Sequence, residues 1–289
     1  MLLSAVFVFA SFIQQLNDVP AKYLIPGPTS DKVIAKVDGV AIKASELESL
    51  LWEWRGQEAL ADLISYQIIK AAAAKDKVLV PDAEVEAALK DQLAQFNPAA
   101  LNGKTVDQYL LDQGFTKSRL WLRVKTELLL NKMALKDFKP AEYVKVSTIL
   151  VKTTGPSPKE LADASKKADV FYDMLSKGDD WMRVLQLSTQ DPRTVESKGL
   201  VGWRKLEAFP FEVQQQFVSL KSGGITKPKQ TSNGFQIFKL EMAGADAKGA
   251  DRTEMENIHV QSTKPALASK IRSSAKIERF LQNSGGAKS

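Results

Sequence analysis

VKVSTILVKT, residues 144–153, is the stretch on which the reading of the fold turns. β-Branched residues dominate it, and polar and apolar positions alternate at its start, which predicts a strand. A second alternating run, GFQIFKLEM at 234–242, predicts another. Between the two the period changes. From Pro158 to Gly178, Leu161, Ala164, Ala168, Phe171 and Leu175 fall on one side of a helix. Trp181 to Leu187 predicts a short second helix, and Phe211 to Leu220 a third that Gly223-Gly224 ends. A strand, several helices and a closing antiparallel sheet make an α+β domain, expected over 143–243.

Upstream, residues 33–140 read as a separate helical domain. Val33 to Ile42 (VIAKVDGVAI) alternates around Asp38-Gly39, a hairpin signal. Ser45 and Glu48 have capping-box spacing, so a helix is expected to start there, with Gly56 interrupting it. A second helix is expected from about Gln57 to Lys75, with Leu60, Leu63, Ile64 and Ile68 as its core stripe. Pro81-Asp82 opens a third, with Val85, Leu89, Leu93 and Phe96 on one side. Thr105 with Gln108 caps a short fourth. Thr116 caps a long fifth through Leu120, Val124, Leu128 and Leu129 to about Phe138, where Pro140 stops it. Residues 18–32 hold three prolines and a glycine and read as a linker. Residues 244–289 read as a polar joint, a helix from Arg252 to about Ser274, a strand or terminal helix over Ala275 to Leu281, and a tail.

Composition removes many chemistries. The chain has 289 residues, 44% hydrophobic and 26% charged, as soluble globular proteins do. Its net charge of +6 comes from interspersed basic and acidic residues, with no arginine-rich run and no aromatic-basic motif, so nucleic acid is not an expected partner. It has no cysteine and one histidine, His259. A thiol nucleophile, a disulfide, an iron–sulfur cluster and an ordinary Cys/His zinc site are excluded, and neither metal nor cofactor is expected. Residues 2–13 (LLSAVFVFASFI) are apolar and uncharged, too short to span a bilayer. Residues 1–17 therefore read as a secretory signal, with Val8-Phe9-Ala10 as its cleavage site, or as an apolar N-terminal arm packed on the body, and membrane contact is expected only through this segment if at all.

Five stretches of the 143–243 region carry a family resemblance. They are VSTILVK at 146–152, Thr189-Gln190-Asp191-Pro192, Gly199-Leu200-Val201-Gly202-Trp203, GGITKP at 223–228 and Gly234-Phe235-Gln236-Ile237-Phe238. Together they resemble the parvulin-type (PpiC, rotamase) peptidyl-prolyl isomerases. Upstream, VIAKVDGVAIKASELESLL, EALADLISYQIIKAAAAKDKVLVPDAEVEAALK and LLDQGFTKSRLWLRVKTELL resemble the N-terminal chaperone domain of SurA/PrsA-type foldases. The resemblance implies a four-stranded antiparallel sheet with surrounding helices, and a shallow apolar pocket for proline beside a polar strip. It puts Thr148 and Gln236 where the family carries its two histidines, Asp191 where it carries cysteine or aspartate, and Thr189 at the preceding serine. Val201, Phe209, Val213 and Phe217 fall at the proline pocket, and Thr231 and Asn233 in the loop before the last strand. Leu200 replaces an aspartate of the family pattern, and Val213 is smaller than the usual phenylalanine.

The implied chemistry suits a chain without titrating groups. Rotation about an X–Pro bond faces a barrier of roughly 18–20 kcal/mol and needs no nucleophile. An enzyme need only bind the twisted amide better than either planar form. The Thr148 hydroxyl and the Gln236 amide are expected to pair as donor and acceptor. Asp191 either weakens amide resonance electrostatically or simply forms an Asp-Pro turn. The expected function is an exported, periplasmic or envelope folding factor that binds unfolded or proline-containing client chains and has isomerase activity. The alternatives are a catalytically inactive chaperone or peptide-binding module, and a scaffold subunit. Trp52 and Trp54 are expected in the core, and His259 at or near the surface. Lys152, Lys159, Lys166, Lys167 and Lys177 are expected on a solvated face.

Overall fold

The computed structural model describes residues 18–24, 27–95, 98–101, 103–153, 155, 157–189 and 191–280. The N-terminal arm at 1–17, Phe96, Gln190 and the tail from Leu281 lie outside them. The described residues divide into two compact units. One runs to Lys136 and resumes at Thr263; the other runs from Asp137 to Ser262.

The first unit opens with a hairpin, β1 (Val33–Val37) and β2 (Val40–Lys43). Asp38 and Gly39 both have positive φ, +50° and +82°, the conformation a two-residue turn demands of its central pair. Helix α1 (Ala44–Lys75) follows directly. The Lys43 N–H donates to the Glu46 carboxylate at 3.0 Å, so Glu46 closes the first turn. The expected Ser45–Glu48 box does not form; Glu48 accepts from the Ser30 hydroxyl instead. Nor does Gly56 interrupt α1, which runs unbroken for 32 residues. One glycine costs a helix about 1 kcal/mol, less than the cost of nucleating a second. The five expected helices are therefore four, continuing with α2 (Asp82–Ala94), α3 (Val106–Asp112) and α4 (Lys117–Ala134). Thr105 and Thr116 cap α3 and α4 as expected.

Tyr66, Ile69 and Ala73 of α1 pack with Val85 and Leu89 of α2 and with Leu120, Trp121 and Val124 of α4. The buried stripe of α1 is thus turned from the expected one, and Leu60, Leu63, Ile64 and Ile68 sit half-buried at its margin. Arg119 of α4 donates to Asp62 at 2.6 Å and pairs with Glu58, tying α4 to α1. The Trp121 indole donates to the Asp18 carbonyl at 2.7 Å and pins the segment before the hairpin. Trp52 and Trp54 are not in this core. Both are exposed, because no element among the described residues covers that part of α1.

The second unit is an α+β domain. Strand β3 (Tyr143–Val151) leads to α5 (Pro158–Ser176), α6 (Trp181–Ser188) and a short α7 (Pro192–Glu196). Then come β4 (Leu200–Lys205), α8 (Phe211–Ser219), β5 (Lys229–Thr231) and β6 (Gly234–Ala243). The four strands form one antiparallel sheet, as expected, and their order is β4-β3-β6-β5. On one face Ile149, Val151 and Ile237 meet Ala164, Ala168 and Phe171 of α5 and Val184 and Leu185 of α6. On the other, Val144, Val146, Phe238 and Leu240 meet Phe209 and, from α8, Val213 and Phe217.

Helix α9 (Gly249–Ser274) gives its first half to this unit and its second half to the other. His259 lies on it and is buried, not at the surface; its Nδ1 shares a 2.6 Å hydrogen bond with the Tyr143 hydroxyl. Phe138 stacks near both rings, so the imidazole completes an aromatic cluster at the start of β3. Burial and the neighbouring carboxylates of Glu142 and Glu207 push the Tyr143 phenol up to about 12. Residues 275–280 form neither strand nor helix. Among the described residues no helix is long and apolar enough to cross a membrane.

Ile149 tests the sheet. It is fully buried between β3 and the α5–α6 layer. Ile149→Ala is expected to cost about 2–5 kcal/mol, seen as a lower urea midpoint at unchanged m-value.

Candidate active site

β3 positions the site by its period. In its register with β6, Thr148 stands opposite Phe238 and Leu150 opposite Gln236. Alternation puts Thr148, Leu150, Gln236 and Phe238 on one face of the sheet. Thr148 and Gln236 are therefore diagonal neighbours, a separation of roughly 7–8 Å in antiparallel sheets. The expected pairing between them is not made. The Thr148 hydroxyl donates to the Ile237 carbonyl at 3.3 Å, because a backbone acceptor on the adjacent strand is nearer than a diagonal side chain.

The loop after α6 folds against the open edge of β3. The Thr148 N–H donates to the Gly199 carbonyl at 2.9 Å. Gly199 has φ +70°, and a Cβ there would lie 2.5 Å from the Thr148 carbonyl oxygen. Only glycine lets the chain come this close, which brings Thr189 and Asp191 to the same end of the strand.

Asp191 caps α7. One carboxylate oxygen accepts from the Arg193 N–H at 3.2 Å and the other from the Thr194 hydroxyl at 2.9 Å. The Thr189 hydroxyl accepts from the Asp191 N–H at 3.1 Å. The Thr194 hydroxyl first, then the Arg193 N–H and the charges of Arg193 and Lys152, hold the Asp191 carboxyl below the usual aspartate range. It is a carboxylate at neutral pH, and its oxygens are already engaged in local structure.

Thr148, Thr189, Asp191 and Gln236, the four expected catalytic positions, line one cleft of about 540 Å3. Lys152 and Lys167 line it too, although sequence placed them only on a solvated face. Thr194 and Leu150 complete the wall and had no sequence signal beyond their neighbours.

The expected proline-pocket residues form a second group. Phe209, Val213 and Phe217 pack with Phe238, with Val201 at the margin. The Phe209 ring centroid lies 5.0 Å from that of Phe217 and 5.2 Å from that of Phe238, both edge-on. Val213 is fully buried, so this group is a packed floor more than an open slot. Phe238 was missed, although two residues beyond Gln236 on the same strand is the spacing that would have found it.

Thr231 and Asn233 are held in the turn before β6. The Thr231 hydroxyl donates to the Gly234 carbonyl at 3.0 Å and accepts from the Asn233 N–H at 3.3 Å. Buried Thr226 fixes the preceding loop: its hydroxyl accepts from the Phe238 N–H, and its own N–H donates to the Phe238 carbonyl. Among the described residues no three His, Cys, Asp or Glu side chains gather to hold a metal ion.

Residues 149–242 match the family model of the PPIC-type PPIASE (rotamase) domain. Across 88% of its length the chain is 26% identical to Chaperone SurA of Saccharophagus degradans, of which it covers 66%. Across 50% of its length it is 30% identical to Chaperone SurA of Pseudomonas fluorescens, covering 32% of that protein. The chain thus spans between about a third and two thirds of these relatives. Among solved structures it is similar to the peptidylprolyl isomerase PrsA from Bacillus cereus. That likeness has a TM-score of 0.43 at 19% identity, over 88% of this chain and 96% of that one.

The Asp191 cap has a definite pH signature. Folding lowers its carboxyl value, so the cap contributes fully at neutral pH and is lost as pH falls through the depressed value. The 13C carboxyl resonance of Asp191 is expected to titrate below the ordinary aspartate range, and Thr194→Val to move it back up. An unshifted titration in the native chain would contradict the cap.

Proposed function

We propose, from the premise that residues 149–242 belong to the PPIC-type peptidyl-prolyl isomerase family, that this chain is a folding factor which holds unfolded polypeptide and turns X–Pro bonds in it. The observation that carries the reading is the convergence of Thr148, Thr189, Asp191 and Gln236 on one cleft, with Phe238 joining that sheet face to the aromatic floor. The floor gives a bound proline ring apolar contact. The Gln236 amide, for which no hydrogen bond is seen among the described residues, is available to the peptide group that twists. The barrier to be lowered is conformational, so a few oriented donors and a dry surface suffice. Asp191 acts on this cleft mainly by building its wall and setting its field. Its oxygens are spent on α7, and Thr148 spends its hydroxyl on β6.

Client holding is supported by the likeness to SurA chaperones across both units. The first unit offers a groove of about 490 Å3 floored by Leu122, Leu130 and Ala268 and rimmed by the Asp62–Arg123 and Glu127–Lys264 ion pairs. An apolar floor with paired charges at its lip suits an extended segment of any sequence. Location in the cell envelope belongs to the same proposal, resting on the apolar run at 2–13 and the lack of cysteine.

A second reading, a peptide-binding module without catalysis, is favoured by the complete burial of Val213, which narrows the apolar slot. A protease-coupled assay on proline tetrapeptides, run beside suppression of client aggregation, separates the two. The expected result is measurable acceleration that Gln236→Ala lowers about tenfold in kcat/KM, the equivalent of one lost hydrogen bond of about 1.4 kcal/mol. Aggregation suppression should stay intact in that variant. No acceleration with any residue before proline, with intact client holding, would establish the binding module instead.

A further inference from the structure

Two of the residues lining the cleft are lysines for which the proposed reaction has no use. Lys152 directly follows β3, and Lys167 stands on α5. Both are exposed, and neither makes an ion pair among the described residues. The Lys167 ammonium lies 5.5 Å from the centre of the Phe171 ring, one turn further along the helix. That contact leaves its charge in place. Asp191 is the one acid among the lining residues. Its oxygens accept from the Arg193 N–H and the Thr194 hydroxyl, and the Arg193 guanidinium stands 3.9 Å away. The cleft therefore holds two ammonium groups against one carboxylate that is already engaged. A concave wall with an excess of one sign concentrates the opposite sign.

The sheet sets where that charge lies relative to a bound proline. In the proposed function, on which this inference rests, the proline ring sits on the aromatic floor and the twisting amide at Gln236. Phe238 belongs to the floor. Gln236 is two residues from it on β6, roughly 7 Å along the strand. Two residues further comes Gly234, which is level with Lys152. Val151 pairs with Phe235, and a Cβ on Gly234 would lie 3.0 Å from the Lys152 Cα. Floor, amide and lysine thus follow one another along the sheet in that order. The twisting amide joins proline to the residue before it, so that residue lies on the Lys152 side of Gln236. Of the roughly 14 Å between the levels of Phe238 and Lys152, the step to the preceding Cα takes about 4 Å. An extended glutamate facing an extended lysine spans the rest.

We infer that Lys152 and Lys167 make this cleft selective for clients that carry an aspartate or glutamate immediately before the proline. The chemistry fits a carboxylate better than a phosphate. No arginine is among the lining residues to offer a planar fork. A dianion would also meet the charge of Asp191 at close range.

Titration of the full chain with acetyl-Ala-Xaa-Pro-Phe-amide peptides, followed at the Gln236 side-chain amide in 1H–15N spectra, tests this. Glutamate at Xaa is expected to bind about three- to fivefold more tightly than glutamine, the size of an exposed ion pair, and lysine more weakly than either. The advantage should shrink between about 50 and about 500 mM salt, as the screening length falls to a few ångströms. In Lys152→Gln/Lys167→Gln the glutamate and glutamine peptides should bind equally. Lys166→Gln makes the same charge change on α5 outside the cleft lining and should keep the preference. Glutamate moved to the position after proline should give no advantage. Equal binding of the glutamate and glutamine peptides to the native chain overturns the inference. So does a preference that survives the double substitution, or one that Lys166→Gln removes as well. Tighter binding of a phosphoserine peptide than of the glutamate one overturns the assignment to a carboxylate. No response at Gln236 to any peptide overturns the inference together with the reading beneath it. Exchange between the cis and trans signals of the same peptides reports isomerisation separately. Acceleration without charge preference sinks the inference and leaves the proposed function standing; charge preference without acceleration does the reverse.

Discussion

Strand β3 must satisfy neighbours on four sides, and the second unit is arranged around that requirement. It is the strand that pairs with two others through most of its length, β4 on one edge and β6 on the other. Ile149 and Val151 face the α5–α6 layer while Val144 and Val146 face the aromatic cluster over α8. A strand buried on both faces cannot slip by one residue without turning Ser147 and Thr148 into positions reserved for branched aliphatics. Its register is consequently fixed, and so is the place of every side chain that reaches the cleft.

The cleft exists because β4 stops short. β4 covers β3 only as far as Ser147. Beyond that point the edge of β3 is met by the loop that carries Thr189 and Asp191, with Gly199 allowing the approach. The polar side chains around the cleft send their hydrogen bonds different ways. Thr148 is satisfied by the strand backbone, and Asp191 by the first turn of α7. For the Gln236 amide no hydrogen bond is seen among the described residues. The one imidazole of the chain is not among the residues lining the cleft; it is hydrogen-bonded to Tyr143.

What the sequence made legible follows from which signals are local. The strands at 144–153 and 234–242, the Asp38-Gly39 turn and the Thr105 and Thr116 caps are decided by residues within a few positions of each other, and they appear within a residue or two of expectation. The family resemblance supplied the four-stranded antiparallel sheet and gathered the four candidate side chains, which spacing alone could not do. The errors are all non-local. Gly56 looks like a break only if its neighbours on the helix do not sustain it. Trp52 and Trp54 look like core until one sees that no element among the described residues faces them. His259 sits in a polar stretch of α9, and its burial depends on Phe138 and Tyr143, more than a hundred residues away. The short strands β4 and β5 escaped because six and three residues carry too little periodicity to register.

The division of α9 has a temporal side. The core of the first unit is not encoded in one continuous piece: Leu267, Ala268 and Ile271 pack against residues that precede Lys136. The second unit, by contrast, is continuous from Asp137 to Ser262. On a ribosome the chain emerges from its N-terminus. The unit that begins first is thus the one that finishes last, since its closing side chains leave the ribosome only after the whole of the other unit has done so. Until then its apolar groove lacks one wall, and the nascent chain carries its own unfinished surface alongside a neighbour that is already free to close.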